Sequence, residues 1–467
     1  MESKKDLVSA PTPLAADSGG GVITPGSNSQ TSTGDFNYKS LAPIYDRAKL
    51  ESILKFKSKS TDLKPNSLHN VLAYLRHDEK FNGLFRWDRF ARAPILHREP
   101  FYQGGEPFKV RKRTDTDVYY IESEMDKLDI NSPAQVRKGV DIVAKENWIN
   151  PPLEYFETIK WDGKERLATW LQYYLGAEGD EEYLAAVGMA WLIAGVARIY
   201  KPGSKAENML VLEGPQGAKK STALKVLATI GSGSDEESYF CDTISFAKMY
   251  EKDTTMILHS GKLIVEFQEL AKLGSREIEE VKTWMSIEKD MIRLPYGHDV
   301  EMYDRQFIMA GTTNESHYLK DDTGNRRFWP VKCGNIDIAA LTHDREQLWA
   351  EAVWRYKNKA QWWIENSSPI FAKAQIEQDL RYIEDLWAQP IENYVDWKMF
   401  VTVPEILLHF KIDIAEQNKG HQQRVVGVLK RLGYKPKTRR VGGKVSRGWE
   451  RTTETNDIPD AEITMEF

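Results

Sequence analysis

Cysteine is nearly absent from this chain. Its 467 residues hold two, Cys241 and Cys333, far apart in sequence. That excludes a disulfide framework and a cysteine-based zinc site, and it fits a reducing compartment. The first residues, MESKKDLVSAPTPLAADSGGG, lack the apolar segment of a secretory signal. A cytoplasmic location, in a bacterial or phage-infected cell, is therefore expected. Long hydrophobic runs are missing too. The most apolar stretch, Tyr183–Tyr200, is short for a bilayer and carries Arg198, so it reads as a buried core helix and no membrane partner is expected. A large net charge is also lacking: 64 basic against 69 acidic residues give −5, so bulk charge does not make the whole chain a polyanion binder. There are no internal repeats.

What is present is enough for a folded, multidomain protein. Hydrophobic residues make up 41% of the chain and tryptophan occurs 14 times, which suits an ordered core. Residues 1–38 are rich in Ser, Thr, Gly and Pro and are expected to be a disordered tail. Residues 39–160 form an N-terminal accessory region of mixed, partly helical pattern. Residues 161–204 are a helical lead-in that Pro202-Gly203-Ser204 ends. From 205 to 340 short apolar runs alternate with helical patterns, which argues for a parallel α/β sheet. A helical extension covers 341–389, a basic unit 390–452 and an acidic tail 453–467.

The chemistry concentrates after the apolar run Met209–Leu212. Gly214, Pro215, Gln216, Gly217, Ala218, Lys219, Lys220, Ser221 and Thr222 nearly match the phosphate-binding loop G-x-x-x-x-G-K-[ST]. Such a loop surrounds phosphates with backbone N–H groups at a helix N-terminus. Its lysine reaches the outer phosphates and its hydroxyl holds Mg²⁺. ATP and Mg²⁺ are the expected ligands. The one mismatch is Lys219, where the pattern has glycine. A strand-to-helix turn whose glycines serve only the backbone would look similar, and two downstream features argue against it. The strand Leu263–Val265 leads into Glu266-Phe267-Gln268-Glu269, two acids suited to the metal side and the water side of a phosphoryl transfer. Which one activates water stays open, with Glu269 favoured and Glu266 joining Ser221 on the metal. The strand Phe307–Gly311 leads into Thr312-Thr313-Asn314, where Asn314 can position water or sense the γ-phosphate. Beyond it, Arg326 and Arg327 sit on a glycine-bounded turn and suit an arginine finger given to a neighbouring subunit.

These stretches carry a family resemblance. WDGKERL, LVLEGPQGAKKST, GKLIVEFQEL, RLPYGHDVEMYDRQFIMAGTTN, DTGNRRFWPV and QLWAEAVWRY, in this order, resemble the virulence-associated protein E family of phage and genomic-island proteins. The resemblance spans roughly Trp161 to Tyr356. It implies an α/β fold with a P-loop NTPase core of the AAA+ or superfamily 3 helicase type, preceded by a helical N-terminal region. It implies that Lys220, Ser221, Glu266, Glu269, Asn314 and the arginine pair fill the roles above. It places a DNA-gripping hairpin at Arg293–Arg305, with Arg293, Arg305 and the tip residue His298 as channel contacts for single-stranded DNA. It further implies an ATP-driven helicase in replication initiation, assembled as a homo-oligomeric ring, a hexamer by analogy. No primase zinc cysteines are present, so priming would come from a separate chain.

The last unit resembles a winged helix: helices, then a two-stranded ribbon around Gly442-Gly443. Residues 419–451 hold eleven Lys/Arg and one acid, Glu450. Lys430, Arg431, Lys435 and Lys437, with Arg439, Arg440, Lys444 and Arg447, form a patch suited to duplex DNA. A solvated face or an acidic protein partner would show the same charge. Three other functions compete: a nucleotide-dependent origin-binding protein without unwinding, a small-molecule kinase, and a loop that Lys219 has disabled.

Overall fold

Five apolar segments build the central sheet. The computed structural model describes residues 47–451 except 106, 232–236, 294–298, 320–323, 384 and 442–443. The tails expected at 1–38 and 453–467 lie outside the described residues. In chain order the central strands are β1 (Met209–Glu213), β2 (Phe240–Cys241), β3 (Ile264–Gln268), β4 (Ile308–Thr313) and β5 (Phe328–Lys332). Their order across the sheet is 5-1-4-3-2, with every neighbouring pair parallel. A parallel sheet covered on both faces needs near-continuous apolar strands, and β1 and β4 are buried at every position.

Alternate residues of each strand feed two cores. Leu210 and Leu212 of β1, with Ile308 and Ala310 of β4, pack under helices α1 (Glu181–Tyr200), α2 (Lys220–Leu227) and, later in the chain, Ile338–Lys357. Met209, Val211, Val265, Phe267 and Met309 point the other way, toward Ile278, Val281 and Trp284 of α3 (Ser275–Met285). Helix Ile338–Lys357 is α4, and Pro369–Asp379, which packs along β5, is α5.

The boundary drawn at Ser204 falls inside this core. Helix α1 is a layer of the sheet's own packing: Trp191 Nε1 donates to the Met309 carbonyl at 2.8 Å. It is the one helix among the described residues long and apolar enough to cross a membrane, and 78% of its apolar window is buried. Two strands differ from expectation. β2 is a two-residue edge strand with no sequence signal. β5 was not among the expected strands and contains Pro330; proline is tolerated here because β5 is at the sheet edge and pairs with β1 alone.

Residues 47–160 fold around their own core, which includes Val71, Leu75, Phe85, Val136 and Val140. Four short strands there pair in one small sheet. The C-terminal unit has helices Ala388–Val395, Val403–His409 and α6 (Lys419–Arg431), and strands β6 (Phe400–Val401), β7 (Tyr434–Val441) and β8 (Lys444–Arg451). The strands are antiparallel with β8 in the middle. Gly448 is needed where β6 crosses: a Cβ there would lie 2.5 Å from the Val401 carbonyl and from the Phe400 ring.

Candidate phosphate-binding site

Between β1 and α2 the chain reverses at the carboxyl edge of the sheet, where ligands of parallel α/β folds bind. The reversal uses positive φ at Gly214 (153°), Gly217 (82°) and Lys219 (63°). Nothing lies within 4 Å of a Cβ built on Gly217, so glycine serves its backbone angle there and not its space. Lys219 adopts the left-handed conformation that glycine would take freely, at a cost of about 1 kcal/mol. Its side chain is exposed.

Lys220 is set differently. It is 7% exposed, and its ammonium donates to the carbonyls of Gly214 (2.7 Å) and Pro215 (2.9 Å) and to Asn314 Oδ1 (3.1 Å). Burial holds its pKa below the usual lysine value. Ser221 Oγ donates to Glu266 Oε1 at 2.7 Å, and Thr312 Oγ1 donates to the same oxygen at 2.6 Å. Glu266 is fully buried, and its second oxygen, Oε2, has no hydrogen-bond partner. A buried carboxylate oxygen without a partner is costly unless something else fills the place. The cleft between these groups is about 430 Å³ and is lined by loop residues Gln216–Thr222 together with Gln268, Glu269 and Thr312–Asn314.

The strand order explains the convergence. β4 lies between β1 and β3, so Asn314, just past β4, stands beside the loop on one side and the acidic strand end on the other. Thr312 was not singled out from sequence. Its period-two spacing from Asn314 was the available signal. Glu269 is at the rim: its side chain is 64% exposed, its backbone is left-handed (φ 60°) and its carboxylate pairs with Lys272 at 2.7 Å.

The arginine pair lies at the opposite edge. Asn325–Arg327 form a 3₁₀ turn just before β5, and Phe328 is in register with Met209, the first residue of β1. The five strand residues to the phosphate loop span about 16 Å. Neither arginine is placed to serve its own chain's loop. Arg327 is engaged within its chain, with Nε donating to Ser286 Oγ at 3.1 Å and lying 3.6 Å from Glu207. Arg326 is exposed, and among the described residues no acid pairs with it.

The DNA candidates divide. The hairpin forms, with Lys289–Ile292 antiparallel to Glu301–Asp304. Arg293 is exposed beside it, and His298 lies outside the described residues. Arg305 must be corrected. It is fully buried and grips Asp290 with two 2.8 Å hydrogen bonds, while Nη1 donates to the Trp284 carbonyl at 2.7 Å. Its guanidinium stacks on the Trp284 ring, so it anchors the hairpin's base and contacts no DNA. In the C-terminal unit Lys430, Arg431, Lys435, Lys437, Arg439, Arg440 and Arg447 are exposed, and the Lys444 side chain is outside what is described. Glu450 partly neutralises the ribbon by pairing with Lys437 (3.3 Å) and Arg439.

Fold and cleft together define a parallel α/β protein with a phosphate-loop-like turn, a buried lysine and a buried carboxylate at one sheet edge. The sequence profile of the virulence-associated protein E-like domain matches residues 156–383, a span that holds α1 and all five central strands, so the likeness to that family lies in this central domain. Comparison with solved structures returns the apo structure of the NrS-1 C-terminal region (305–718), at 13% identity and a TM-score of 0.45. That likeness covers 79% of this chain and 96% of the other. Two A-form apo structures of the same region give 12% identity with a TM-score of 0.42 and 13% with 0.41, over the same shares. Comparison with curated proteins returns no significant match.

Proposed function

We propose that this protein is an ATP-driven DNA helicase or translocase of a phage or other mobile element, acting in replication initiation as a ring. The reading is carried by the convergence of Lys220, Ser221 and Asn314 in one cleft, with Glu266 buried behind it on the Ser221 hydroxyl. The 5-1-4-3-2 order, with one strand between the loop strand and the acid strand, supports grouping the core with AAA+ and superfamily 3 P-loop ATPases.

The residues fit a magnesium site. Among the described residues no cluster of three His, Cys, Asp or Glu could hold a metal alone. Mg²⁺ suits such a place, because it keeps several waters and takes oxygens from substrate phosphate. Ser221 Oγ and the unpartnered Glu266 Oε2 would hold it. When bound, the ion neutralises charge on the phosphates. Lys220 would exchange its carbonyl contacts for the outer phosphates, and Asn314, already on Lys220, would report their presence. Glu269, at the open rim, is our candidate for orienting the attacking water.

Arg326 would complete a neighbour's site, which requires subunits arranged head to tail and closed into a ring, here assigned as a hexamer. The C-terminal unit supports a winged-helix reading, with α6 directed at duplex DNA and the β7–β8 ribbon along its backbone. Single-stranded DNA would pass the hairpins, a separate primase would prime, and the work would be cytoplasmic. The pairing of Glu269 with Lys272 favours one alternative, a nucleotide-dependent origin-binding protein without unwinding. A forked-duplex assay with ATP separates them: strand separation supports the motor, and binding without separation supports the alternative.

A further inference from the structure

β1 ends in a buried acid that a phosphate loop does not require. Glu213 is 5% exposed and immediately precedes Gly214. Arg381 grips its carboxylate as a fork: Nε donates to Oε1 at 2.8 Å and Nη2 to Oε2 at 3.0 Å. The Tyr318 hydroxyl donates to Oε1 at 2.8 Å. Arg381 also pairs with Glu377 on α5, and its carbonyl accepts from the N–H groups of Tyr318 and Leu319, both at 3.0 Å. Burial alone would weaken this arginine's hold on its proton, but Glu213 outweighs burial and raises its pKa, so the guanidinium stays charged.

Arg381 therefore ties three segments together, its guanidinium holding Glu213 and its carbonyl holding Tyr318 and Leu319. These are the strand end that launches the phosphate loop, the loop that follows Asn314, and the chain that runs on toward the C-terminal basic unit. A buried ion pair adds little to stability over an apolar pair of equal volume, so its use is better sought in orientation. The sheet does not need it, because β1 is already fixed by backbone pairing to β4 and β5. What the fork adds is the direction in which the chain leaves β1. Lys220 hydrogen-bonds the Gly214 carbonyl on one side and Asn314 on the other, and both neighbourhoods are held by Arg381.

We infer that Arg381 is a positioning residue for the phosphate site, acting through Glu213 on the start of the loop and through Tyr318 on the segment after Asn314. The inference rests on the nucleotide reading above. Its test uses the full chain with Arg381→Lys, Arg381→Met and the double variant Glu213→Gln/Arg381→Met. Arg381→Met alone strands a buried carboxylate and should lower the melting temperature. The double variant removes the Glu213 charge, leaves only the less buried Glu377 without its partner, and should recover most of that loss. In the nucleotide-free double variant, amide hydrogen exchange over residues 213–222 should nonetheless rise about tenfold, since a local hold is lost while the global fold is kept. Its kcat/KM for ATP should fall by about tenfold or more, the scale on which small misplacements act. Arg381→Lys, which keeps charge without the fork, should show the same exchange and kinetic defects in weaker form. Wild-type exchange and kinetics in both the lysine and double variants would overturn the inference. If the wild-type chain neither binds nor hydrolyses ATP, the proposed function fails, and the exchange measurement still decides whether Arg381 holds the loop.

Discussion

Lys219 and Lys220 are adjacent and have opposite settings. Lys219 supplies a backbone angle and leaves its charge in water, whereas Lys220 is buried with three acceptors around it. Lys219→Gly should therefore keep ATP hydrolysis and move stability by no more than about 1 kcal/mol, because relief of the left-handed strain offsets the added chain entropy. Lys220→Ala should lose hydrolysis. Equal losses in the two variants, measured as phosphate release alongside a thermal melt, would contradict this division. Glu266→Gln is the second test at this scale. Glutamine can still accept from Ser221 and Thr312, so the fold should hold, while hydrolysis should fall about 100-fold or more and nucleotide binding should persist. A variant that hydrolyses normally would remove Glu266 from the site. Most of these side chains were legible because the loop pattern and the two strand ends have fixed chemistry and order. The support of the site was not: Glu213 and Arg381 lie 168 positions apart, and no local pattern announces that they meet.

The hairpin shows both what sequence patterning gives and where it was misread. The resemblance places a hairpin at Arg293–Arg305, and a hairpin forms there, yet it also makes Arg305 a DNA contact, which its burial excludes. The alternation Tyr303, Arg305, Phe307 already placed it on the inward side, and all three are buried. β5 was missed for the opposite reason, since Pro330 argues against a strand everywhere except at an edge. Arg305→Ala should destabilise the fold by about 3–5 kcal/mol, because it leaves Asp290 buried without its cation. A melt little changed from wild type would contradict the anchor. Burial opposes ionisation of Asp290, but hydrogen bonds from Arg305 and His259 outweigh it and lower its pKa from 3.8 to about 2. A depressed carboxylate contributes stability that is present above its unfolded pKa and lost as pH falls through its folded one. This contribution should therefore be complete above about pH 4 and decline toward pH 2. Acid unfolding followed by tryptophan fluorescence should show a shallower loss over that window in Asp290→Asn than in wild type. Identical profiles would mean that the pair does not titrate with the fold.

For the whole molecule, the proposed function follows from the separation of the two sheet edges. The phosphate-loop residues gather at the carboxyl edge and Arg326 stands at the other, so on this proposal neither edge completes a site alone. Mixing Lys220→Ala with Arg326→Ala subunits should restore part of the hydrolysis that each variant lacks, because some boundaries would pair an intact loop with an intact arginine. A mixture as inactive as its parts would contradict sites shared between subunits. The net charge of −5 hides a strongly basic C-terminal unit, so duplex binding there should weaken steeply with salt. Replacing Lys435 and Arg440 with alanine should lower the log–log salt slope by about one for each phosphate contact removed. ATP hydrolysis by the purified chain, measured with and without single-stranded DNA, is the most direct test of a motor. The expected result is Mg²⁺-dependent hydrolysis that DNA stimulates and that Lys220→Ala abolishes. Hydrolysis absent from the wild type, or unchanged in Lys220→Ala, would contradict it.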